Sequence, residues 1–129
     1  MNVTYGQPLE KAIGFSRAVR IGNIIAIAGT APIAKDGTVA ASGDVYSQAK
    51  VCLNIIKEVI EKAGGKLENI IRTRIFLKNM KTWKDAAKAH GEFFSEIQPA
   101  STFVEVSDFI NPEWLIEIEA DAFLEKSKH

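Results

Sequence analysis

The chain is 129 residues long, and its sixteen basic and sixteen acidic side chains cancel to a net charge of zero. A domain of that size buries its own core, and 47% apolar with 25% charged residues is the balance of a folded globular protein, not a disordered one. The neutral total argues against the broad basic face of a nucleic-acid binder, and Cys52, the single cysteine, excludes an intrachain disulfide and a cysteine-built zinc cluster.

With His90 and the terminal His129 the only histidines, no metal site is expected. No apolar run reaches the roughly 20 residues a membrane span needs. The opening stretch, MNVTYGQPLEKA, lacks the basic-then-apolar layout of a secretory signal. The expectation is a cytoplasmic protein without membrane or nucleic-acid partners.

In chain order, the run 17–29 is rich in Ile and Val and predicts two short strands around a Gly22–Asn23 turn. The stretch 29–43, rich in Gly, Ala, Pro and Thr, reads as a loop with a short strand at 38–40. Asp44 suits a helix cap. From there Val45, Ala49, Cys52, Ile56, Val59 and Ala63 recur at alternating four- and three-residue steps, an apolar helical stripe that Gly64 and Gly65 end.

Residues 70–77 predict a strand. Thr82, with Asp85 three residues on, predicts a capping-box variant opening a helix whose stripe is Trp83, Ala87, His90, Phe94 and Ile97. Trp83 and Phe94 are expected in the core. Two more strands follow at 101–106 and 115–123, separated by a break at Asn111–Pro112. The order β-β-α-β-α-β-β predicts a single α+β domain over 1–129, a mixed sheet with both helices on one face.

Alternation along a strand sends successive side chains to opposite faces. It groups Ile71, Thr73, Ile75 and Leu77 against Arg72, Arg74 and Phe76, and Ile116, Ile118 and Ala120 against Glu117, Glu119 and Asp121. With the apolar sets turned to the helices, the uncovered face carries Arg72, Arg74, Phe76, Phe103, Glu105, Glu117 and Glu119. Such a face is either solvated and laced with weak ion pairs or closed by another subunit. Two Phe among so many charges favour the second reading.

No phosphate loop, serine–histidine–aspartate set or metal-ligand spacing is present. The carboxylates therefore lead as chemical groups, since a tuned glutamate deprotonates water. Glu117 and Glu119 share one face, and paired carboxylates on a strand are often only structural. Arg17 and Arg74 each have the fork that grips a carboxylate; for Arg74 an ion pair with Glu105 or Glu117 is an equal alternative. His90 reads as a packed, hydrogen-bonded residue before a catalytic one, and Cys52 as a small buried apolar side chain.

Taken together, G-F-S-R-A-V-R-I-G-N (14–23), A-G-T-A-P (28–32), G-D-V-Y-S-Q (43–48), R-T-R-I-F-L-K-N-M (72–80), P-A-S-T-F-V-E-V (99–106) and I-E-I-E-A (116–120) resemble the reactive-intermediate deaminase family, also called YjgF-like or RidA. The resemblance implies a chorismate-mutase-like fold, a homotrimer with clefts at subunit boundaries, and cofactor-free hydrolysis of small enamines or imines. It matches the water-positioning glutamate to Glu119.

The family arginine that holds the substrate carboxylate falls on Ser101. Phe15, Ala28 and Ala87 also replace a usual tyrosine, serine and asparagine. One charge-assisted hydrogen bond is worth about 1.5–3 kcal/mol, so the loss at Ser101 marks a divergent branch in which Arg17 or Arg74 supplies the cation. The expected site is Glu119 as the catalytic group, with Arg74, Arg17, Ser101, Phe15, Thr30 and Phe103 around a small-molecule ligand. Backbone N–H groups near Thr30 and Phe103 are candidate charge stabilisers. The competing reading is a non-catalytic metabolite-binding or interaction trimer; a ribonuclease or translation inhibitor ranks below both.

Overall fold

The computed structural model describes residues 1–125, so His129 lies outside it. Its strands are β1 (Asn2–Val3), β2 (Ala18–Ile21), β3 (Ile24–Thr30), β4 (Ile70–Leu77), β5 (Ala100–Glu105) and β6 (Ile116–Phe123). Its helices are α1 (Pro8–Ile13), α2 (Val45–Lys62) and α3 (Trp83–Phe94). One six-stranded sheet in the order β1-β2-β3-β6-β4-β5 holds them, antiparallel except for the parallel β4–β5 pair. The expected mixed α+β sheet with its long helices on one face is found. The N-terminal strand β1 and the short α1, too brief to show a periodic pattern in the sequence, extend it.

The β2–β3 hairpin turns at Gly22, whose φ of 59° suits a residue without a Cβ. Helix α2 starts where expected: the Asp44 side chain accepts from the Ser47 backbone N–H at 3.3 Å. All six residues of its predicted stripe are buried, joined by Gln48, Leu53 and Ile60. They pack on Ile25, Ile27, Ile75, Leu77, Ile116 and Ile118 of the sheet. Each such side chain contributes about 1.5–3 kcal/mol by leaving water.

Helix α3 departs from its expected start and face. Thr82 ends a 3-10 turn, Met80–Thr82, and spends its hydroxyl on the Asn79 carbonyl at 2.7 Å, so no capping box with Asp85 forms. The buried face runs through Ala86, Ala89 and Phe94, leaving Trp83 46% exposed instead of in the core. The strand expected at 38–40 reduces to one bridge between Ile33 and Val39.

Two strand faces also need correction. In β4 a bulge between Ile70 and Arg72 shifts the alternation: Ile70 is buried and Ile71 lies outside. In β5 the parallel register sets Ser101 beside Thr73, Phe103 beside Ile75 and Glu105 beside Leu77, all on the helix side. Phe103 and Glu105 therefore do not lie on the uncovered face. Thr102, Val104 and their like formed an equally apolar set, so alternation alone could not choose between the two; the pairing with β4 does.

Candidate functional site

The site grows from β6. Ile116 and Ile118 are drawn fully into the core, which forces Glu117 between them onto the opposite face, level with Phe76 of β4. Diagonally across from it, opposite Glu119, β3 carries one extra residue between Ile27 and Thr30, a bulge at Ala28–Gly29. Bulges re-aim side chains and break the ladder locally. Here the bulge brings a residue without a side chain against Glu117: a Cβ on Gly29 would stand 2.8 Å from Glu117 Oε1.

Arg17 arrives from the turn before β2. Its Nη2 donates to the Gly29 carbonyl at 3.1 Å, and its guanidinium lies 5.2 Å from the centre of the Phe15 ring. Among the described residues, its Nε is a buried nitrogen with no hydrogen-bond partner. A buried N–H of a cation left unpaired is costly, and it marks a place for an acceptor. Burial opposes the charge of Arg17, while Glu10 and Glu117 favour it. Glu10 is itself spent on the backbone, accepting from Tyr5 and Gln7.

Burial is also the main influence on Glu117 and pushes its carboxyl above the ordinary glutamate range; Arg17 pulls it down and Glu119 adds to the rise. A half-buried carboxylate with a raised pKa is suited to taking a proton near neutral pH. Phe15, Arg17, Ala28, Gly29 and Glu117 line one cleft of about 940 Å³.

The other expected site residues lie elsewhere. Arg74 does not pair with Glu105 or Glu117; its Nη1 reaches Glu119 at 3.2 Å and Asp121 at 3.1 Å on the uncovered face. Arg74 and Glu119 thus satisfy each other, 39% and 33% exposed. Glu119 borders an adjoining, more open cleft with Asp121, Val19 and Ala26, which shares Phe15, Ala28, Glu10 and Gln7 with the first. Thr30 is buried, its hydroxyl donating to the Ala28 carbonyl at 2.8 Å. Ser101 accepts from Thr73 Oγ1 at 2.8 Å, and the same Thr73 oxygen lies 2.9 Å from His90 Nε2. His90 is shielded by Phe94 and Phe103, and burial lowers its pKa.

Within one subunit, then, Phe15 and Arg17 meet, Arg74 and Glu119 meet, and Ser101 and Phe103 stand apart from both. Sequence reasoning names Glu117 beside Glu119 but matches the water-positioning role to Glu119, and it does not single out Gly29. In I-E-I-E-A the two glutamates are equivalent by alternation; the bulge of β3, which brings Gly29 against Glu117, and Arg74, which bonds to Glu119, distinguish them. No group of three or more histidine, cysteine, aspartate or glutamate side chains among the described residues is placed to hold a metal ion. No helix among them is long and apolar enough to cross a membrane.

Residues 6–124 match the family described as endoribonuclease L-PSP. The chain belongs to that family, the YjgF and RidA group. A RutC family protein of Pyrococcus abyssi is 33% identical over 124 residues, covering 95% of this chain and 97% of the relative. A 3-aminoacrylate deaminase, RutC of Acinetobacter baylyi, is 30% identical over 81% of this chain and 82% of its own length. The crystal structure of Rv2704 from Mycobacterium tuberculosis, a member of the YjgF/YER057c/UK114 family, superposes with a TM-score of 0.87 at 36% identity, covering 96% of this chain and 98% of that one.

Proposed function

We propose that the protein is a deaminase-type hydrolase that converts a small enamine or imine to the carbonyl compound and ammonia, with Glu117 as the group that activates water. The observation that carries this reading is a half-buried carboxylate with a raised pKa beside a cation whose Nε lacks an acceptor, in one cleft. The 3-aminoacrylate deaminase among the relatives supports the reaction class.

Arg17 binds the carboxylate of the substrate and takes over from the arginine that Ser101 replaces. Glu117 removes a proton from water as its oxygen bonds to the imine carbon. That proton passes to the nitrogen and gives a carbinolamine, whose hydroxyl proton Glu117 then carries to the amine as the C–N bond breaks, so that ammonia leaves and the carbonyl double bond forms. Water, substrate, proton and leaving group balance without an external oxidant or reductant.

The active form on this reading is a homotrimer closed over the helix-free side of the sheet. Ile21, Ile24 and Phe123 on that side are 74%, 59% and 38% exposed, an apolar patch beside the Arg74 ion pairs. Contiguous apolar exposure of this kind marks an association surface.

The test is ammonia release from an imine generated in solution, compared among the parent, Glu117→Gln and Glu119→Gln. The Glu117 variant is expected to lose the acceleration and the Glu119 variant to keep most of it. Equal rates for the parent and Glu117→Gln reject the reading, and selective loss in Glu119→Gln moves the chemistry along β6 to the Arg74–Glu119 pair.

A further inference from the structure

The cleft that holds Glu117 is much larger than hydrolysis of a three-carbon imine requires. At about 940 Å³ it stands near the top of the range, roughly 300–1,000 Å³, that encloses drug-sized ligands. Beyond Arg17 and Glu117 its walls become apolar: Leu9 and Ile13 of α1, Ile33 of the loop after β3, and Ile110 and Trp114 of the loop before β6.

Three of these are unusually exposed for their type, Leu9 at 46%, Ile13 at 60% and Ile110 at 78%. The walls are nonetheless fixed. Pro8 and the Glu10 carboxylate set the start of α1. Gln48, fully buried, accepts from the Leu115 N–H at 2.8 Å and donates to the Glu113 carbonyl at 3.3 Å, which pins the loop carrying Trp114. Two of the charged groups along the cleft are engaged, Glu58 accepting from Tyr5 and Lys62 lying 4.6 Å from the Tyr5 ring centre, while Lys35 adds a second cation to the lining. An ordered apolar wall continuous with a cation whose Nε lacks an acceptor is complementary to an anion with an apolar tail.

We propose that the substrate is an α-imino acid, or its enamine, bearing a large apolar side chain of leucine or aromatic size that seats against Leu9, Ile13, Ile110 and Trp114. This rests on the reading above, in which Arg17 holds the carboxylate and Glu117 faces the reacting carbon. The remaining substituent then meets the apolar wall, where a missing methylene costs roughly 10–200-fold in discrimination.

The experiment compares kcat/KM for imines generated from alanine, leucine and phenylalanine by one amino-acid oxidase. The leucine and phenylalanine imines are expected to be favoured at least ~10-fold over the alanine imine. Trp114→Ala and Ile110→Ser should lower kcat/KM for the large imines about tenfold while leaving the alanine imine within about twofold. Equal kcat/KM for the three, a preference for alanine, or an equal loss on all imines in both variants overturns the proposal.

Calorimetric binding of pyruvate and phenylpyruvate separates this from the underlying reaction. Tighter phenylpyruvate binding that weakens in Trp114→Ala supports the apolar seat even if no imine is turned over, which would reject the hydrolase reading alone. Equal affinities for the two keto acids sink the seat whether or not turnover occurs.

Discussion

Replacing Gly29 by alanine tests the geometry around Glu117 without touching a charge. The backbone at Gly29 is not in the left-handed region, so the change carries no φ penalty there; its one close neighbour is Glu117, whose Oε1 would stand 2.8 Å and Cδ 3.9 Å from the new Cβ. Ordinary van der Waals contact begins near 3.4 Å, so the carboxylate must retreat by about 0.6 Å, with the torsional strain of an off-rotamer side chain costing about 0.5–1.5 kcal/mol. A misplacement near 1 Å in a reacting group costs on the order of 100-fold in rate. Gly29→Ala should therefore lose roughly 10- to 100-fold in turnover while its thermal midpoint falls by only a few degrees. Imine decay with ammonia detection measures the first and scanning calorimetry the second. Full activity in a folded Gly29→Ala protein would refute the placement of Glu117 at the chemistry.

Three further outcomes follow from the same geometry. Gln48→Ala leaves the Leu115 N–H without its acceptor and opens space at a fully buried position; the expected loss is about 2–4 kcal/mol in denaturant unfolding, and a loss below about 0.5 kcal/mol, the scale of a neutral surface change, contradicts it. Because the folded state raises the Glu117 pKa, that state binds the proton more tightly than the unfolded chain. The associated stability is present below the ordinary glutamate range and is lost as pH rises through the raised value. Glu117→Gln should thus be more stable than the parent at neutral pH, the advantage shrinking as pH falls into the ordinary carboxylate range; a parent that is the more stable at neutral pH by calorimetry reverses the sign. On the uncovered face, Ile24→Lys should leave the fold intact but reduce a trimeric mass in light scattering to that of the subunit, whereas a monomeric parent at micromolar concentration removes the trimer from the account.

The long periodic elements were legible because burial alone dictates them. Helix α2 needed only its four- and three-residue apolar steps, and β6 its Ile–Glu–Ile–Glu alternation. What escaped was set by partners far along the chain. The side to which Phe103 and Ser101 turn depends on the parallel pairing of β5 with β4, and Ile71 is expelled by a bulge that alternation cannot foresee. The capping of α3 failed because Thr82 found a nearer acceptor in Asn79. The candidate site was half visible: Arg17 and Phe15 stand in the cleft, but the choice between Glu117 and Glu119 turns on Gly29 of β3, some ninety residues away, and on Arg74 bonding to Glu119 first.

The most direct measurement is where a small carboxylate binds. Titrating isotope-labelled protein with a stable keto acid should shift the backbone amides of Gly29, Glu117 and Arg17, and Arg17→Met should erase the response. Shifts centred on Arg74, Glu119 and Asp121, unchanged by Arg17→Met, would contradict the account.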